Sequence, residues 1–440
     1  MRNTASTPVA IAKSVAEKAC RGDFAGIEAQ FAPPLRAQVS AAALRAAWDA
    51  HLGGTGPVTA LGRPVTEPLA AGLVRVGVPV TCAHGGLTLV MSIDDTGLLN
   101  GLRLAPPEAA SWTPPPYADP REFAEHEVTV GSGPLAVPGT LSLPHARGPR
   151  PGPGVVLLSG GGPFDRDGTV GPNKPLKDLA WGLADRGVAV VRFDKVTHTH
   201  AAAMAARHDA TMTDEYVPHA VAAVQLLRNH PAVDPARVFV LGHSMGGKVA
   251  PRVAAAEPSL AGLVILAGDT QPMHRAAVRV ARHLAGLAPD SGARSLVDTL
   301  TRQAALVDSA DLSPTTPAAE LPLGLSGSYW LDLRAYDPVA TAAALDIPLL
   351  ILQGGRDYQV TVEDDFARWR AGLAHRPDAT LRVHQPADHF FFPGTGPSTP
   401  AAYQRAQHVD PAVVTDIATW LAPDAALRAE PADPAARAGT

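Results

Sequence analysis

The sequence predicts an α/β protein built around a mostly parallel sheet and preceded by a small α+β domain. Three observations predict this fold class: helical spacing gives way to strand patterns early in the chain, a proline-rich stretch follows, and strands and helices then alternate. These changes place the α+β domain at residues 1–106, a linker at 107–124 and the α/β domain at 125–422. An alanine- and proline-rich tail, residues 423–440, is expected to be disordered.

A change of period predicts the small first domain. Apolar residues recur at helical spacing through residues 8–53, whereas residues 73–82 and 87–95 have strand composition on either side of a turn. A third strand precedes the proline clusters at 106–107 and 114–116, which mark the linker. Helices followed by an antiparallel meander are typical of an α+β domain, and we find no catalytic pattern within it.

The repeated order of strand and helix predicts the second domain. It opens with a hairpin, and short apolar runs of strand length then occur at 154–160, 188–194, 237–242, 260–268 and 347–354. Helical patterns lie between these runs, at 176–186, 214–229 and 246–256. Such alternation predicts a parallel sheet covered by helices on both faces. Residues 270–336 interrupt the alternation and predict a helical lid insertion over the C-terminal edge of the sheet.

Composition argues against several classes of function. The net charge is -5 without a basic block, which disfavours nucleic acid and anionic membrane as partners. Cys20 and Cys82 lie in no CxxC pattern and form no disulfide scaffold. No apolar run approaches the length of a membrane span, and the N-terminal stretch resembles a helix rather than a signal peptide. We therefore expect no membrane association and a cytoplasmic location.

Residues 237–256, RVFVLGHSMGGKVAPRVAAA, place Ser244 between an apolar strand and a helix of small residues. The pattern GxSxG is weak alone, but a strand before it and a helix after it are the context of a nucleophile elbow. Glycines two residues before and two after the serine relieve crowding in so tight a turn. The helix N-terminus behind it favours developing negative charge. The sequence therefore predicts Ser244 as a nucleophile.

A base and an orienting acid for this serine are also predicted. In this architecture the chain order is serine, then aspartate or glutamate, then histidine. Asp357 follows an apolar strand and His389 lies in a loop after the next strand, so both emerge from strand ends in that order. His243 adjoins the serine, but its position in the turn directs its side chain away from the serine hydroxyl, so we do not assign it as the base. We assign His243 as a substrate contact instead. Asp388 is an alternative partner for His389.

An oxyanion hole is predicted from two backbone amides. One donor is the N–H of Met245, the residue after the nucleophile. The other comes from the glycine loop in VVLLSGGGPFDRDG, residues 155–168, where we choose Gly161 and place Gly162 second. Pro163 is excluded because it has no N–H. A phosphate cradle is the alternative, but the loop lacks the GxxxxGK[ST] and GxGxxG patterns.

Further candidates have competing structural interpretations. Tyr329 and Trp330 in the lid are candidate substrate contacts, and packing within the lid is the alternative. His198 and His200 form an HxH pattern without an evident set of further ligands, so we expect no metal. The charged run Asp165–Asp167 is expected to form an ion-pair network that holds the glycine loop.

Several stretches resemble a known family. SGGGPFDRDGTVGPNKPLKDLAWGLADRGVAVVRFDK, residues 159–195, is similar to the glycine-loop region of bacterial esterases that join a DUF3887-type, cystatin-like N-terminal domain to an α/β-hydrolase fold. That region often reads GSGPxDRD, GPNKPFKDLA and RYDKR in those esterases. SYWLDLRAYDP, residues 328–338, resembles a segment near their lid. The resemblance covers nearly the whole chain and implies carboxylesterase activity, with Ser244, Asp357 and His389 at the triad positions.

The function expected from these observations is hydrolysis of carboxylic esters through a Ser-His-Asp triad and an acyl-enzyme, without a cofactor. A small-molecule ester is the expected partner, and the N-terminal domain is expected to narrow the pocket mouth or to pair subunits in a homodimer. Departures from the family pattern, such as Val196 in place of a common arginine, bear on substrate choice. Three alternatives stay open: a thioesterase or acyltransferase with the same triad, an inactive binding protein, and a metal-dependent hydrolase.

Overall fold

The computed structural model describes residues 7–37, 39–68, 73–83, 85–105, 112–145, 151–287 and 291–421. The chain divides into two compact units. The first unit comprises Met1–Trp112 and Pro400–Ala406, and the second comprises Thr113–Thr399 and Gln407–Thr440. The tail predicted to be disordered, residues 423–440, lies outside the described residues.

The first unit consists of helices followed by an antiparallel sheet. Its helices are α1 (Pro8–Cys20), α2 (Phe24–Glu28), α3 (Pro33–Arg36) and α4 (Ala41–Thr55). Its strands are β1 (Val58–Leu61), β2 (Val65–Pro68), β3 (Val74–Cys82), β4 (Gly85–Ile93) and β5 (Leu99–Ala105). The order is β1-β3-β4-β5, with β2 also paired to β3. Alternate residues of β3 and β4 point into a core that contains Trp48, Val78 and Met91, so the amphipathic strands bury one face.

The second unit is built on a sheet that has eight strands among the described residues. The strands are β6 (Phe123–Val130), β7 (Val137–Pro144), β8 (Gly152–Leu158), β9 (Ala189–Phe193), β10 (Val233–His243), β11 (Gly262–Leu266), β12 (Leu349–Gly354) and β13 (Ala379–His384). Their order across the sheet is β13-β12-β11-β10-β8-β9-β7-β6. The six strands from β13 to β9 are parallel, whereas β7 runs antiparallel to β9 and to β6.

Helices flank this sheet. They are α5 (Pro175–Asp185), α6 (Val196–Thr199), α7 (Ala201–Ala205), α8 (Met212–Arg228), α9 (Met245–Ala256), α10 (Met273–Leu287), α11 (Ser291–Asp308), α12 (Gly327–Arg334), α13 (Pro338–Ala343), α14 (Ala367–Gly372) and α15 (Pro411–Leu421). Thr211 and Asp214 form a capping box that begins α8, because each side chain accepts the other residue's backbone N–H. Strands β11 and β12 are buried along their whole length, as expected for parallel strands covered on both faces. The predicted fold class is confirmed.

The predicted insertion contains α10, α11 and α12, between β11 and β12. Arg279 of α10 donates to the carbonyl of Gln359 at 2.8 Å and pairs with Asp365 at 3.2 Å. Both partners follow the C-terminal end of β12, so the insertion lies against the edge of the sheet where parallel strands end. Across the described residues, no helix has both the length and the apolar character needed to cross a membrane.

Candidate active site

Ser244 occupies a strained turn between β10 and α9. Its backbone has φ 54° and ψ -120°, a conformation that non-glycine residues adopt rarely and at a cost on the order of 1–3 kcal/mol. The turn is held on both sides, because the Ser244 N–H donates to the carbonyl of Leu266 at 2.9 Å and its own carbonyl accepts from Lys248 at 2.9 Å. This geometry lifts the hydroxyl off the C-terminal end of β10 at the start of a helix.

The glycines around Ser244 are required by close backbone approach. A Cβ on Gly242 would lie 2.1 Å from the carbonyl oxygen of Gly246. A Cβ on Gly246 would lie 2.5 Å from the carbonyl oxygen of Leu158, at the end of β8. Both contacts are with backbone atoms, which cannot rotate away. The sequence interpretation of these two glycines agrees with the geometry of the turn.

The structure brings Ser244, His389 and Asp357 into one hydrogen-bonded chain. His389 Nε2 lies 3.1 Å from Ser244 Oγ, and His389 Nδ1 lies 2.7 Å from Asp357 Oδ2. A carboxylate only accepts, so Nδ1 carries the hydrogen and Nε2 presents its lone pair to the serine hydroxyl. Asp357 Oδ1 accepts from the backbone amides of Gln359 and Val360 at 2.7 Å and 3.0 Å, which fixes the carboxylate.

The two histidines at the site have opposite electrostatic environments. Burial alone disfavours the charged form of His389, but the Asp357 carboxylate outweighs it and raises the pKa of His389. Burial, together with the neighbouring His389, lowers the pKa of His243 to about 3. His389 is therefore the more readily protonated of the two rings, whereas His243 stays neutral.

His243 and Asp388 support the loop that carries His389. His243 Nε2 donates to the backbone carbonyl of His389 at 2.8 Å, and its ring also forms part of the cavity wall. Asp388, the alternative orienting acid, instead accepts from the amides of Phe390 and Phe392, each at 3.0 Å. Burial raises the pKa of Asp388. The hydrogen bond to His389 Nδ1 thus comes from Asp357.

The glycine loop after β8 lies beside the serine. A Cβ on Gly160 would lie 3.2 Å from Ser244 Cβ, and one on Gly161 would lie 3.6 Å from Met245 Sδ. Gly161 and Met245, the two predicted amide donors, are therefore neighbours at the serine. Gly162 has φ +103°, a conformation that strongly favours glycine, so this residue provides the bend in the loop.

A small cavity of about 90 Å³ opens onto Ser244 and His389. Its walls include the glycine loop and four apolar side chains that are not among the predicted substrate contacts, namely Phe164, Pro175, Leu176 and Phe390. Gln359 adds a polar group. Two features of the sequence could have indicated these wall residues: the phenylalanine in the glycine loop and the aromatic run after His389. Neither feature shows which side chains face the serine.

The proposed lid contacts occupy other positions. Trp330 is fully buried, packs edge-on against His274 and is not among the cavity-lining residues that the structure describes. Tyr329 is also buried, and its hydroxyl donates to Glu215 at 2.6 Å. The sequence expectation that both residues contact substrate is corrected, because both rings pack in the main apolar core and neither lines the cavity. Helix α12 turns these rings inward because they belong to the main apolar core.

Of the three charged residues of the glycine loop, Arg166 and Asp167 form the expected ion pairs, whereas Asp165 accepts from the backbone N–H of Thr169 at 2.8 Å and from its hydroxyl at 2.6 Å. Arg166 pairs with Asp194 at 3.0 Å, and Asp167 pairs with Arg192 at 2.9 Å and with Lys174 at 2.6 Å. Because these partners lie on or beside β9 and α5, the network ties the loop to the sheet.

The two histidines of the HxH pattern each donate a hydrogen bond to a backbone carbonyl. His198 Nδ1 donates to the carbonyl of Pro163 at 3.0 Å, and His200 Nε2 donates to that of Ala136 at 2.8 Å. Among the described residues, no group of three or more His, Cys, Asp or Glu side chains is arranged to hold a metal ion.

Known proteins are similar to this chain over the region of the site. A sequence profile of the Hydrolase_4 family, described as Serine aminopeptidase, S33, matches residues 173–392. Esterase EstD of Thermotoga maritima is 33% identical over 339 residues, which is 77% of each chain. Both matches identify relatives that are hydrolases.

Solved structures also resemble the chain at lower identity. An esterase of Pyrococcus furiosus is 18% identical with a TM-score of 0.42, covering 64% of this chain and 90% of that one. Est1E from Butyrivibrio proteoclasticus is 16% identical with a TM-score of 0.43, covering 68% and 99%.

Proposed function

The chain belongs to the Hydrolase_4 family of α/β-hydrolases, and from this premise we propose that it is a serine esterase with Ser244, His389 and Asp357 as its catalytic triad. The observation that carries the proposal is the continuous hydrogen-bonded chain from Asp357 through His389 to Ser244. The similarity to Esterase EstD supports ester chemistry. As part of the same proposal, the first unit is a DUF3887-type domain, which its helices and antiparallel sheet support.

Acylation follows from the geometry of the three side chains. Ser244 Oγ attacks the acyl carbon while His389 Nε2 takes the hydroxyl proton, and Asp357 stabilises the resulting imidazolium. The N–H groups of Gly161 and Met245 donate to the oxygen that becomes negative. Losing one such donor typically lowers the rate by about 100- to 1,000-fold. When the tetrahedral intermediate collapses, the C–O bond to the alcohol breaks and Nε2 protonates the departing oxygen.

Deacylation reverses these roles with water as the nucleophile. His389 Nε2 takes one proton from water as the oxygen attacks the acyl carbon, and the same two amides hold the oxyanion. The ester bond to Ser244 then breaks and the serine oxygen recovers the proton from Nε2. The carboxylic acid leaves and the site returns to its starting state.

The cavity favours a short acyl group. An engineered protein cavity of about 150 Å³ accommodates benzene. The cavity beside Ser244 measures about 90 Å³ and is partly open to solvent, so its enclosed part suits a group smaller than a benzene ring. Its apolar walls match a hydrocarbon tail. We therefore propose acyl chains of roughly two to four carbons as the preferred substrates.

Ester substrates fit the cavity better than peptides with a free amino terminus. The family description names an aminopeptidase, whose substrate carries an α-ammonium group. A carboxylate would be the natural partner for that charge. Among the described residues that line the cavity, none is an aspartate or a glutamate. The wall therefore favours an uncharged ester.

The test is hydrolysis of p-nitrophenyl esters with acetyl, butyryl, hexanoyl and decanoyl groups. We expect the short esters to react fastest, and Ser244→Ala to lower kcat/KM by about 10⁴-fold or more because the nucleophile is lost. Ser132→Ala is the matched control, since Ser132 is exposed and its side chain makes no capping bond. A Ser244→Ala enzyme as active as the wild type would disprove the triad assignment.

A fluorophosphonate probe and an added acyl acceptor separate the alternatives. Labelling of the wild type but not of Ser244→Ala is expected for an active serine hydrolase. Labelling without ester hydrolysis would favour a thioesterase or an acyltransferase, and diversion of the acyl group to an added alcohol or thiol would identify transfer. Absence of both labelling and hydrolysis would favour a binding protein.

A further inference from the structure

A buried polar cluster lies behind the glycine loop, outside the cavity wall. It contains Lys195, Glu215 and Tyr216, which are almost completely buried. The three N–H groups of the Lys195 ammonium each have an acceptor: Glu215 Oε1 at 2.8 Å, Tyr216 Oη at 2.8 Å and the carbonyl oxygen of Gly160 at 3.1 Å. The Tyr216 hydroxyl also donates to the Gly160 carbonyl, at 2.7 Å. None of these side chains is needed for the mechanism above.

The orientation of one peptide unit links this cluster to the oxyanion hole. The carbonyl of Gly160 and the N–H of Gly161 belong to the same planar trans peptide, in which they point in opposite directions. Two donors hold the carbonyl toward Lys195 and Tyr216, so the N–H of Gly161 points away from the cluster. Gly160 and Gly161 both line the cavity that contains Ser244. The anchored carbonyl therefore fixes the direction of the amide donor.

The loop needs such an anchor because consecutive glycines restrict the backbone least. Lys195 also donates its own backbone N–H to the carbonyl of Phe164 at 3.1 Å, which fixes the far end of the loop. Hydrogen bonds accepted by a peptide carbonyl polarise the unit and strengthen its N–H as a donor. The cluster thus improves both the position and the donor strength of Gly161.

The same cluster reaches the second amide donor. Glu215 accepts from Thr197 Oγ1 at 2.9 Å and from the Tyr329 hydroxyl at 2.6 Å. That hydroxyl lies 3.6 Å from Met245 Sδ. Tyr329, which does not line the cavity, therefore connects the buried carboxylate with the side chain of the residue that supplies the other oxyanion donor.

We propose that Lys195 and Tyr216 are positioning residues for the oxyanion hole, with Glu215 as the counterion that keeps the Lys195 ammonium in place. They act through the Gly160–Gly161 peptide and do not touch the substrate. This inference rests on the proposed function, since an oxyanion forms only if Ser244 attacks a carbonyl.

The decisive variant is Tyr216→Phe, which removes only one hydroxyl. We expect kcat/KM for p-nitrophenyl acetate to fall about 10-fold, with KM unchanged, because the oxyanion exists only in the transition state. A trifluoromethyl ketone, which forms a hemiketal oxyanion on the serine, is expected to bind weaker by the same factor. A second variant, Lys195→Met with Glu215→Gln, removes both buried charges and is expected to lower both quantities about 100-fold.

Tyr336→Phe is the matched control. Its hydroxyl also donates to a backbone carbonyl, that of Lys248 at 2.8 Å, but this carbonyl belongs to α9 rather than to the glycine loop. We expect kcat/KM and ketone affinity to stay at the wild-type level. The inference is overturned if Tyr216→Phe matches the control in both measurements, or if it raises KM while ketone affinity is retained. If the wild type itself neither hydrolyses esters nor reacts with a fluorophosphonate, the proposed function has failed instead.

Discussion

In the proposed mechanism, the protonation state of His389 decides whether the site can begin catalysis. Its Nε2 must be unprotonated to accept the serine proton, yet Asp357 favours the charged ring and raises its pKa above the ordinary 6.5. His243, with a pKa of about 3, stays neutral throughout the working range. One group therefore controls the loss of activity on the acid side.

We predict that kcat/KM declines as pH falls through an apparent pKa above 6.5, because protonation of His389 removes the base. Asp357→Asn removes the main cause of the raised pKa. It should therefore shift the acid-side decline of kcat/KM to lower pH. It should also reduce kcat by about 10⁴-fold, the magnitude found when the acid of such a triad is replaced. The measurement is kcat/KM for p-nitrophenyl acetate across the pH range.

Asp308→Asn provides the control for this pH experiment. Asp308 pairs with His274 Nε2 at 2.8 Å, so the substitution disrupts an Asp-His pair away from the serine. Its pH profile should coincide with that of the wild type. An acid limb below 6.5 in the wild type, or an unmoved limb in Asp357→Asn, would contradict the assignment of His389 as the titrating base.

The three residues of the hydrogen-bonded chain could be predicted because chain order and strand ends limit the choices. The cavity wall could not, since the side chains that face the serine depend on how helices and loops rotate against the sheet. Trp330 shows this: its helix was expected at the site, but packing turns the ring into the core. Lys195 and Glu215 were also missed, because their pairing joins distant segments.

At the scale of elements, the turn at Ser244 brings together the backbones of β10, α9 and the end of β8, with no room for side chains between them. Strand β10 and helix α9 approach so closely at the turn that Gly242 lies against the backbone of Gly246.

The long strands of the second unit were predicted within a few residues. The four-residue strands β1 and β2 were not, because such short runs carry little periodicity.

Gly242→Ala should destabilise the protein by about 3 kcal/mol, near the upper end for overpacking, because its Cβ would lie 2.1 Å from a carbonyl oxygen. Ester hydrolysis should also be lost, since relief of the clash moves Ser244. Urea unfolding and p-nitrophenyl acetate turnover measure the two effects. Gly286→Ala is the control: a Cβ there meets nothing within 4 Å, and helix α10 should gain up to about 1 kcal/mol. Equal stability of the two variants would refute the steric argument.

At the scale of the whole molecule, each compact unit has an apolar core of its own. The first core is formed by α1, α2, α4 and the antiparallel sheet, and it includes Met91 at 0% exposure. Ser244, Asp357 and His389 all belong to the second unit. The sequence revealed the change of pattern between the units. It could not reveal that Pro400–Ala406 groups with the first unit, because that depends on tertiary contacts alone.

Separate cores predict that stability and catalysis can be perturbed separately. Met91→Ala should lower the free energy of unfolding of the first unit by about 2–5 kcal/mol, because it leaves a cavity in a closed core. Val65→Ala, at a position 51% exposed in the same unit, should change it by no more than about 0.5 kcal/mol. At temperatures where both variants are folded, kcat for p-nitrophenyl acetate should equal that of the wild type, because the hydrogen-bonded chain of Ser244, His389 and Asp357 lies in the other unit. Urea unfolding and steady-state kinetics test this together. A reduced kcat in Met91→Ala alone would show that the first core supports the geometry of the site. It would refute the idea that the stability of the first unit and catalysis in the second are independent.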